Sequence, residues 1–587
     1  MIQESADVKV EAHRTLFAIL ARGGSKRLPG KNLLEVGAVS LLGRAIQCAR
    51  ACASRLTSDC TIVVSTDDDM IATEARRWGA EVPFTRSADL ASDAATSMEA
   101  LRHMIDWYAT HGDSFSEVVL LQPTSPFRLT GDVLRCIHQF RKNPNATCVT
   151  VAYNPNAEKA WQFELRDGML FTPVAATVQS NEDSTVALNG AVYVSSPRWI
   201  QENESLCQSS RSMGIVMPAR RSIDIDVAED LDRANQHHAN SIPWSGDRCF
   251  VIAEAGVNHN GCIETARKLV EEAARCGADA IKFQTFSAER LATRDAPKAE
   301  YQKRNAQPDE TQFNMLKRLE LSPDDHRALI EHCQANHIRF LSSAFSNEDI
   351  DLLDALDVSA IKLGSAEITN HPMLAHAAGT LRPIILSTGC SWLEEVEDAV
   401  RVLRENGSTD LALLHCVSAY PAACEDANLR AIATLANATN LPIGFSDHTE
   451  GFALAGAAVA MGARIIEKHF TLDRNAEGPD HRASLEPLEL KAMIESIRVI
   501  ESAMGDGTKR PVDAELNTRQ VARRSLAAAQ DLAVGTVLES KHLTARRPGT
   551  AIPPSELKRI LGQIIVKNVR SDELLTWNHV ARAETTQ

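Results

Sequence analysis

Short apolar runs recur along the first 235 residues with room for a loop and a helix between them: LFAIL (16 to 20), CTIVVS (60 to 65), EVVLLQ (117 to 122), TCVTV (147 to 151) and AVYVS (191 to 195). Strand-sized runs alternating with helical stretches predict a doubly wound α/β sheet. The stretch 232–248 is polar, holds Pro243 and Gly246 and shows no convincing period, so its second half reads as a linker. A second alternation comes after it, with runs starting at Cys249, Ala278, Ile338, Ser359, Pro383, Leu411, Pro442 and Ala463. Eight parallel strands with helices between them, over about 250 residues, predict a closed (β/α)8 TIM barrel. From about residue 522 the segments are short and broken by glycine and proline, which predicts a small further unit. The expected organisation is an α/β multidomain chain: 14–236, a linker 237–248, a barrel 249–506, a tether 507–521 and a last domain 522–583.

Polar residues gather at the C-terminal ends of the eight barrel runs: Glu254, Lys282 and Gln284, Ser343, Lys362 with Ser365 and Glu367, Ser387, Ser418, Ser446 with His448, and Glu467 with His469. Isolated buried polar groups account for one or two of these, not for all eight strands, and this is the barrel face that carries chemistry. His448 and His469 close adjacent strands, where two imidazoles can converge on one Mn²⁺ or Mg²⁺. In the first domain, ARGGSKRLPGKN (21 to 32) leaves a buried strand with three glycines, two arginines and two lysines, a loop suited to a polyphosphate but without a Walker A pattern. Asp224 and Asp226, two apart on an extended segment, face one side and suit Mg²⁺.

At 587 residues the chain exceeds a single core. A hydrophobic share of 44% with no apolar run of membrane-spanning length gives no support to a membrane role. Sixty-two basic against 77 acidic residues leave a net charge of -15, which argues against nucleic acid as a partner. Thirteen cysteines without CxxC pairs read as reduced thiols, and the polar N-terminus lacks an export signal, so a cytoplasmic location is expected.

The opening loop, with VVSTDDD, RSADLASDAATS, LQPTSPFR, NGAVYV and SIDIDVAEDL in order, resembles the CMP-sialic acid synthetases over nearly the whole first domain. The resemblance implies transfer of a cytidylyl group from CTP to a nonulosonic acid with release of pyrophosphate. It places Arg22, Ser25, Lys26, Lys31 and Asn32 on the triphosphate and base, with Arg22 and Lys31 catalytic, and Arg86, Gln122 and Asn189 beside nucleotide and sugar. Asp224 and Asp226 would hold the Mg²⁺.

The barrel, through IAEAGVNHNG, GADAIKFQTF, KLGSAEI, LHCVSAYPA, GFSDHT and IEKHFTLD, resembles sialic acid synthase. This implies condensation of phosphoenolpyruvate with N-acetylmannosamine or a related N-acylated hexosamine, with release of phosphate. Lys282, Lys362, Ser343, Ser365, Ser387 and Ser446 would then bind phosphate and carboxylate, and Glu254 and Glu367 would orient sugar and protons. Gln284, Ser418, Tyr420 and Asp480 would complete the substrate pocket. Residues 522–583 resemble the antifreeze-like SAF domain, which implies a homodimer or higher homo-oligomer in which Arg547 caps the neighbouring barrel. The product expected first is N-acetylneuraminate; legionaminic, pseudaminic or deaminated acids are the alternatives, as is one half kept only as a scaffold.

Overall fold

The computed structural model describes residues 13–153, 162–172, 185–297 and 311–582. The chain divides into two compact units, 1–503 and 504–587. Among the described residues, no helix is long and apolar enough to cross a membrane.

The first domain is built on an eight-stranded sheet: β1 Arg14–Leu20, β2 Asp59–Ser65, β3 Glu117–Leu121, β4 Thr147–Tyr153, β5 Gln162–Arg166, β6 Met169–Phe171, β7 Thr185–Ser195 and β8 Ser212–Val216. Their spatial order is β2-β1-β3-β7-β4-β8-β6-β5. In β1, Phe17 and Ile19 pack with Leu42 and Ile46 of helix α1 (Leu41–Ala53), while Leu16 and Ala18 pack with Leu101 and Met104 on the other face. Both faces are covered, which is why β1 reads as an unbroken apolar run instead of an alternating one. The run at 191–195 is the end of the longer β7, which lies antiparallel between β3 and β4. Strand direction leaves no mark on apolar periodicity, so the sequence predicted the strand but not its reversal.

The second half of the first unit is a closed barrel of β9 Phe250–Gly256, β10 Ala280–Thr285, β11 Arg339–Ala344, β12 Ile361–Leu363, β13 Ile384–Ser387, β14 Leu411–Cys416, β15 Ile443–Asp447 and β16 Ile465–His469. Its interior holds Phe250, Ile252, Leu341, Ile385, Leu414 and Ile465 in one apolar cluster. Trp244, only 3% exposed, joins that cluster. The expected linker is therefore mostly structured: helix α2 (Ala228–Ser241) runs on through both histidines, and the residues after it pack Trp244 against the barrel interior. Polar neighbours on either side masked this anchor in the sequence.

The first domain and the barrel are packed together within this unit. The Arg55 Nη2 donates to the His376 carbonyl at 2.7 Å. Arg221 pairs with Asp132 of its own domain and, at 3.3 Å, with Asp357 of the barrel. In the second unit, Ser525–Ala528 pairs antiparallel with Leu543–Arg546, and Leu526, Leu538, Ile552, Ile560, Ile565 and Leu575 form its core. Much of the expected tether is a helix, Asp513–Ala522, with no buried residue.

Candidate active sites

In the first domain, Arg22, Ser25, Lys31, Asn32, Arg86, Gln122, Asp224 and Asp226 line one cleft of about 440 Å³ beside the C-terminal ends of β1 and β3. Gly30, at φ 65, turns the chain into the short helix Lys31–Leu33, and the Asn32 amide donates to the Arg22 carbonyl at 3.0 Å, closing the loop on itself. The cationic side chains are held by carboxylates of the same chain. Arg22 and Lys26 both reach Asp93, at 2.8 and 2.6 Å, and the Lys31 ammonium lies 2.9 Å from Asp226. Arg86 is buried and bonded to the Ser65 hydroxyl at 3.0 Å; burial brings its guanidinium down to about 10.

Asp224 and Asp226 flank the fully buried Ile225, so the extended backbone sends both carboxylates to the cleft side. Asp224 is solvent-accessible within the cleft. The surrounding protein mass and the nearby Asp226 charge nevertheless raise its carboxyl above the ordinary range, against the pull of Thr124 and Lys31. Lys31 at 2.9 Å and Arg27 at 3.6 Å offset Asp226, and the donor set of two carboxylates suits a divalent cation.

Asn189 does not line this cleft. Its Oδ1 accepts from the Thr150 hydroxyl at 2.7 Å and the Ala191 amide at 3.2 Å, and its Nδ2 donates to the Ser222 hydroxyl at 3.0 Å. With its amide engaged by protein, Asn189 braces β7 against the segment leading to Asp224. Lys26 is 82% exposed and lies at the rim.

At the C-terminal ends of the barrel strands four charges are buried together. The Lys282 ammonium lies 2.8 Å from Glu254 and 3.6 Å from Glu467, and donates to the Ser343 hydroxyl at 2.8 Å. The Lys362 ammonium donates to the Ser387 hydroxyl at 2.6 Å and lies 3.9 Å from Glu467. Ser446 donates to Glu467 at 2.8 Å. The two lysines face two carboxyl groups, so the buried charges offset one another out of water. A Cβ on Gly256, at φ +52, would sit 3.4 to 3.5 Å from Glu254, Gln284 and Asp480, so these three converge. A Cβ on Gly389 would meet the Ser418 and Ser365 hydroxyls at 2.3 and 3.0 Å. The Ser365 hydroxyl accepts the Gly389 amide at 2.9 Å.

The environment splits the two carboxylates. Burial raises Glu254 to about 7 despite Lys282. Burial would raise Glu467 too, but the flanking Lys282 and Lys362 and the Ser446 hydroxyl bring it down to about 2. Burial also lowers Lys362 and lifts Asp480 to about 6. His448 and His469 have ring centroids 5.6 Å apart, with Tyr420 tilted over His448 at 4.2 Å. Burial lowers both imidazoles, His469 well below its usual value, so both are neutral near pH 7. The His448 Nδ1 lies 2.7 Å from the Val417 carbonyl; donation to that oxygen leaves the Nε2 lone pair facing inward. The buried His469 Nδ1 has no hydrogen-bond partner. Neutral rings fit metal ligation, the His448 Nε2 being engaged only by the Ser446 hydroxyl at 3.3 Å.

Among the described residues, no group of three or more His, Cys, Asp or Glu could hold a metal ion. Both centres therefore offer ligand pairs, and an ion at either would take further ligands from substrate or water.

Glu367 stands apart from the cluster contacts: it lies in the turn Ser365–Glu367 and accepts from the Asn370 amide at 2.8 Å. Arg547 belongs to the second unit and is exposed there. Glu467 is legible as a strand-end polar residue, yet sequence reasoning gave it no role, although it touches both lysines. Asp93 is equally visible within RSADLASDAATS.

Comparisons with known proteins bear on all three parts. The Cytidylyltransferase model matches residues 16–164, the NeuB family model 269–509 and the SAF domain model 523–581. N,N'-diacetyllegionaminic acid synthase of Legionella pneumophila is 47% identical over 336 residues, covering 57% of this chain and 94% of its own. Pseudaminic acid synthase of Campylobacter jejuni is 35% identical over 329 residues, covering 56% and 95%. A solved N-acetylneuraminic acid synthetase from Leptospira borgpetersenii is 36% identical, with a TM-score of 0.42, covering 46% of this chain and 91% of its own. Relatives matched over nearly their whole length, with the NeuB model on 269–509, place the chain in the NeuB family, here carrying a cytidylyltransferase domain at its front.

Proposed function

We propose that the chain makes a nonulosonic acid in the barrel and activates it as the CMP conjugate in the first domain. The observation that carries the first half is the buried, charge-balanced Lys282–Glu254–Glu467–Lys362 cluster beside two neutral histidines. Phosphoenolpyruvate is a small polyanion, and the two lysines with Ser343, Ser387 and Ser446 offer charge-assisted donors to its phosphate and carboxylate. A bond from its C3 to the acceptor's aldehyde carbon leaves C2 electron-poor; water adds there, and phosphate leaves with the C2–O electrons. The aldehyde oxygen must gain a proton and the added water must lose its protons. Glu254, near 7, exchanges protons at neutral pH, and Asp480 and Gln284 beside it hold the acceptor. A Mn²⁺ or Mg²⁺ held by His448 and His469 would supply Lewis-acid polarisation of the aldehyde.

In the first domain, Lys31 and Arg22 would exchange their carboxylate partners for the phosphates of CTP, and Arg86 and Gln122 would flank nucleotide and acid. A Mg²⁺ held by Asp224 and Asp226 would neutralise charge on the α-phosphate as the sugar hydroxyl attacks and pyrophosphate leaves.

The diacetyllegionaminic acid synthases match at 47% and 45% identity, against 35% for a pseudaminic acid synthase and 34% for an N-acetylneuraminate-9-phosphate synthase. This ordering favours a diacetamido trideoxy hexose as acceptor over the N-acetylmannosamine that the motifs alone put first. The test is a panel of hexosamines supplied with phosphoenolpyruvate and CTP. Preferred turnover of the diacetamido sugar, appearing as phosphate, pyrophosphate and a CMP-sugar, is expected; preference for N-acetylmannosamine would restore N-acetylneuraminate, and no phosphate release with any acceptor would refute the condensation. We also read the second unit as capping the barrel of a neighbouring subunit through Arg547. Mixing Arg547→Ala and Lys362→Met chains should then regain condensation that neither shows alone.

A further inference from the structure

Where the first domain meets the barrel, a cavity of about 310 Å³ is lined from both sides. Its barrel wall lies at the starts of strands: Arg339 opens β11 and Asp410 immediately precedes β14. That is the face opposite the Lys282–Glu467 cluster, and it is not where barrels place catalysis. Its other wall comes from α1, the loop after β3, the approach to Asp224 and α2, which contribute Arg44, Arg128, Arg220 and His238.

The charges here do not balance. Arg220, Arg221 and Arg382 are paired with Asp132, Asp354 and Asp357. Arg44, Arg128 and Arg339 are different: among the described residues, none has a carboxylate within ion-pair distance. Arg44 spends its Nε and Nη2 on the Val36 carbonyl, at 3.0 and 2.6 Å. Arg128, 3% exposed, gives Nη1 to the Gln122 and Ala191 carbonyls; its guanidinium also meets the Cys48 thiol of α1, and its buried Nε and Nη2 make no close hydrogen bond. Arg339, exposed to solvent, makes one bond, to the Asn240 carbonyl at 3.3 Å, and feels the charge of Asp279. Asp410, the remaining carboxylate of the lining, lies 3.5 Å from His238, which burial lowers, and its charge also bears on Arg44. The Ser359 hydroxyl on the same wall is also buried and unpartnered. A desolvated guanidinium with open donors is costly, and burial depresses both Arg44 and Arg128.

We propose that this cavity is a binding site for a phosphate-bearing polyanion, distinct from both catalytic centres. Guanidinium forks match phosphoryl oxygens in pairs. Arg128 and Arg339, with Arg44 only partly offset by Asp410, call for an anion of two or more charges. At about 30 Å³ per water the cavity holds roughly ten waters, enough for pyrophosphate or a nucleoside monophosphate.

The test is equilibrium binding to the full chain carrying Arg22→Ala and Lys31→Ala, which weakens phosphate capture in the catalytic cleft. Orthophosphate, pyrophosphate and CMP are the probes, and their relative affinities separate a by-product of condensation, a by-product of cytidylyl transfer and a nucleotide. One equivalent of pyrophosphate or CMP should bind per chain, at least tenfold more weakly when Arg339→Glu is added. Arg339→Gln, which removes the charge without reversing it, should weaken binding by less and decides the matter if the Glu variant misfolds. Condensation activity, run in the barrel's far end, should survive both substitutions and reports folding. Binding unchanged by either substitution in a folded chain, or no binding of pyrophosphate and CMP at millimolar concentration, would overturn the proposal.

Discussion

The two candidate centres handle charge in opposite ways. In the barrel, Lys282, Glu254, Lys362 and Glu467 have side chains only 3 to 6% exposed and compensate one another in a dry cluster. In the first domain, Asp226 and Asp93 are each 49% exposed and Lys26 82%, so the cationic loop is paired with carboxylates that water can replace. Coulomb attraction between charges is severalfold stronger in the first setting than in the second. The barrel is organised for substrate before it arrives, whereas the cleft must trade ion pairs for triphosphate oxygens. A small substrate that must be dried before carbon attacks carbon suits the former; a large, solvated triphosphate suits the latter.

The sharpest way to break the comparison is to disable each centre alone. Asp224→Ala should lower CMP transfer by about 10³- to 10⁴-fold, the several kcal/mol a positioned cation supplies, and leave condensation intact. His469→Ala should do the reverse. Coupled assays on isolated steps check both, and loss of both activities in either variant would mean the centres are not independent. Next in size is stability. Glu467→Gln leaves two buried lysines under-compensated and should cost about 3–5 kcal/mol in urea unfolding, against less than about 1 kcal/mol for Asp226→Asn at its half-exposed pair.

The pH profile comes next. Glu254 must be ionised to accept a proton, so condensation should rise through pH 7. Glu254→Gln should remove that limb and about 10²-fold of the rate, while CMP transfer keeps its own profile. The smallest effect is steric. Gly389→Ala drives a methyl into the Ser418 and Ser365 hydroxyls and should cost about 1–3 kcal/mol, seen as a higher KM for the barrel substrates with the cleft unaffected.

Much of this was legible in the chain. Eight apolar runs ending in polar residues define the barrel and its working face, because strands buried on both sides are written as uninterrupted apolar stretches. The loop at 21–32 and the spacing of Asp224 and Asp226 likewise survive as one cleft. The hidden part depends on contacts between distant residues. NGAVYV does not show that the Asn189 amide reaches Thr150 and Ser222. Glu367, in KLGSAEI, sits one turn past its strand, where the backbone turns it toward Asn370. Trp244 is invisible as an anchor because proline, serine and glycine surround it, and only the barrel interior explains it. The direction of β7 was unreadable because apolar period is the same whichever way a strand runs.

Trp244 and the arginines around Asp357 attach the base of the barrel to the cytidylyltransferase, leaving the synthase mouth facing away, up to about 20 Å along strands of as many as seven residues. Acid leaving by that mouth would emerge on the face of the barrel opposite the first domain. Covalent union guarantees stoichiometry, one activating centre for every producing centre. Added unlabelled acid should accordingly dilute isotope in the CMP-sugar in full.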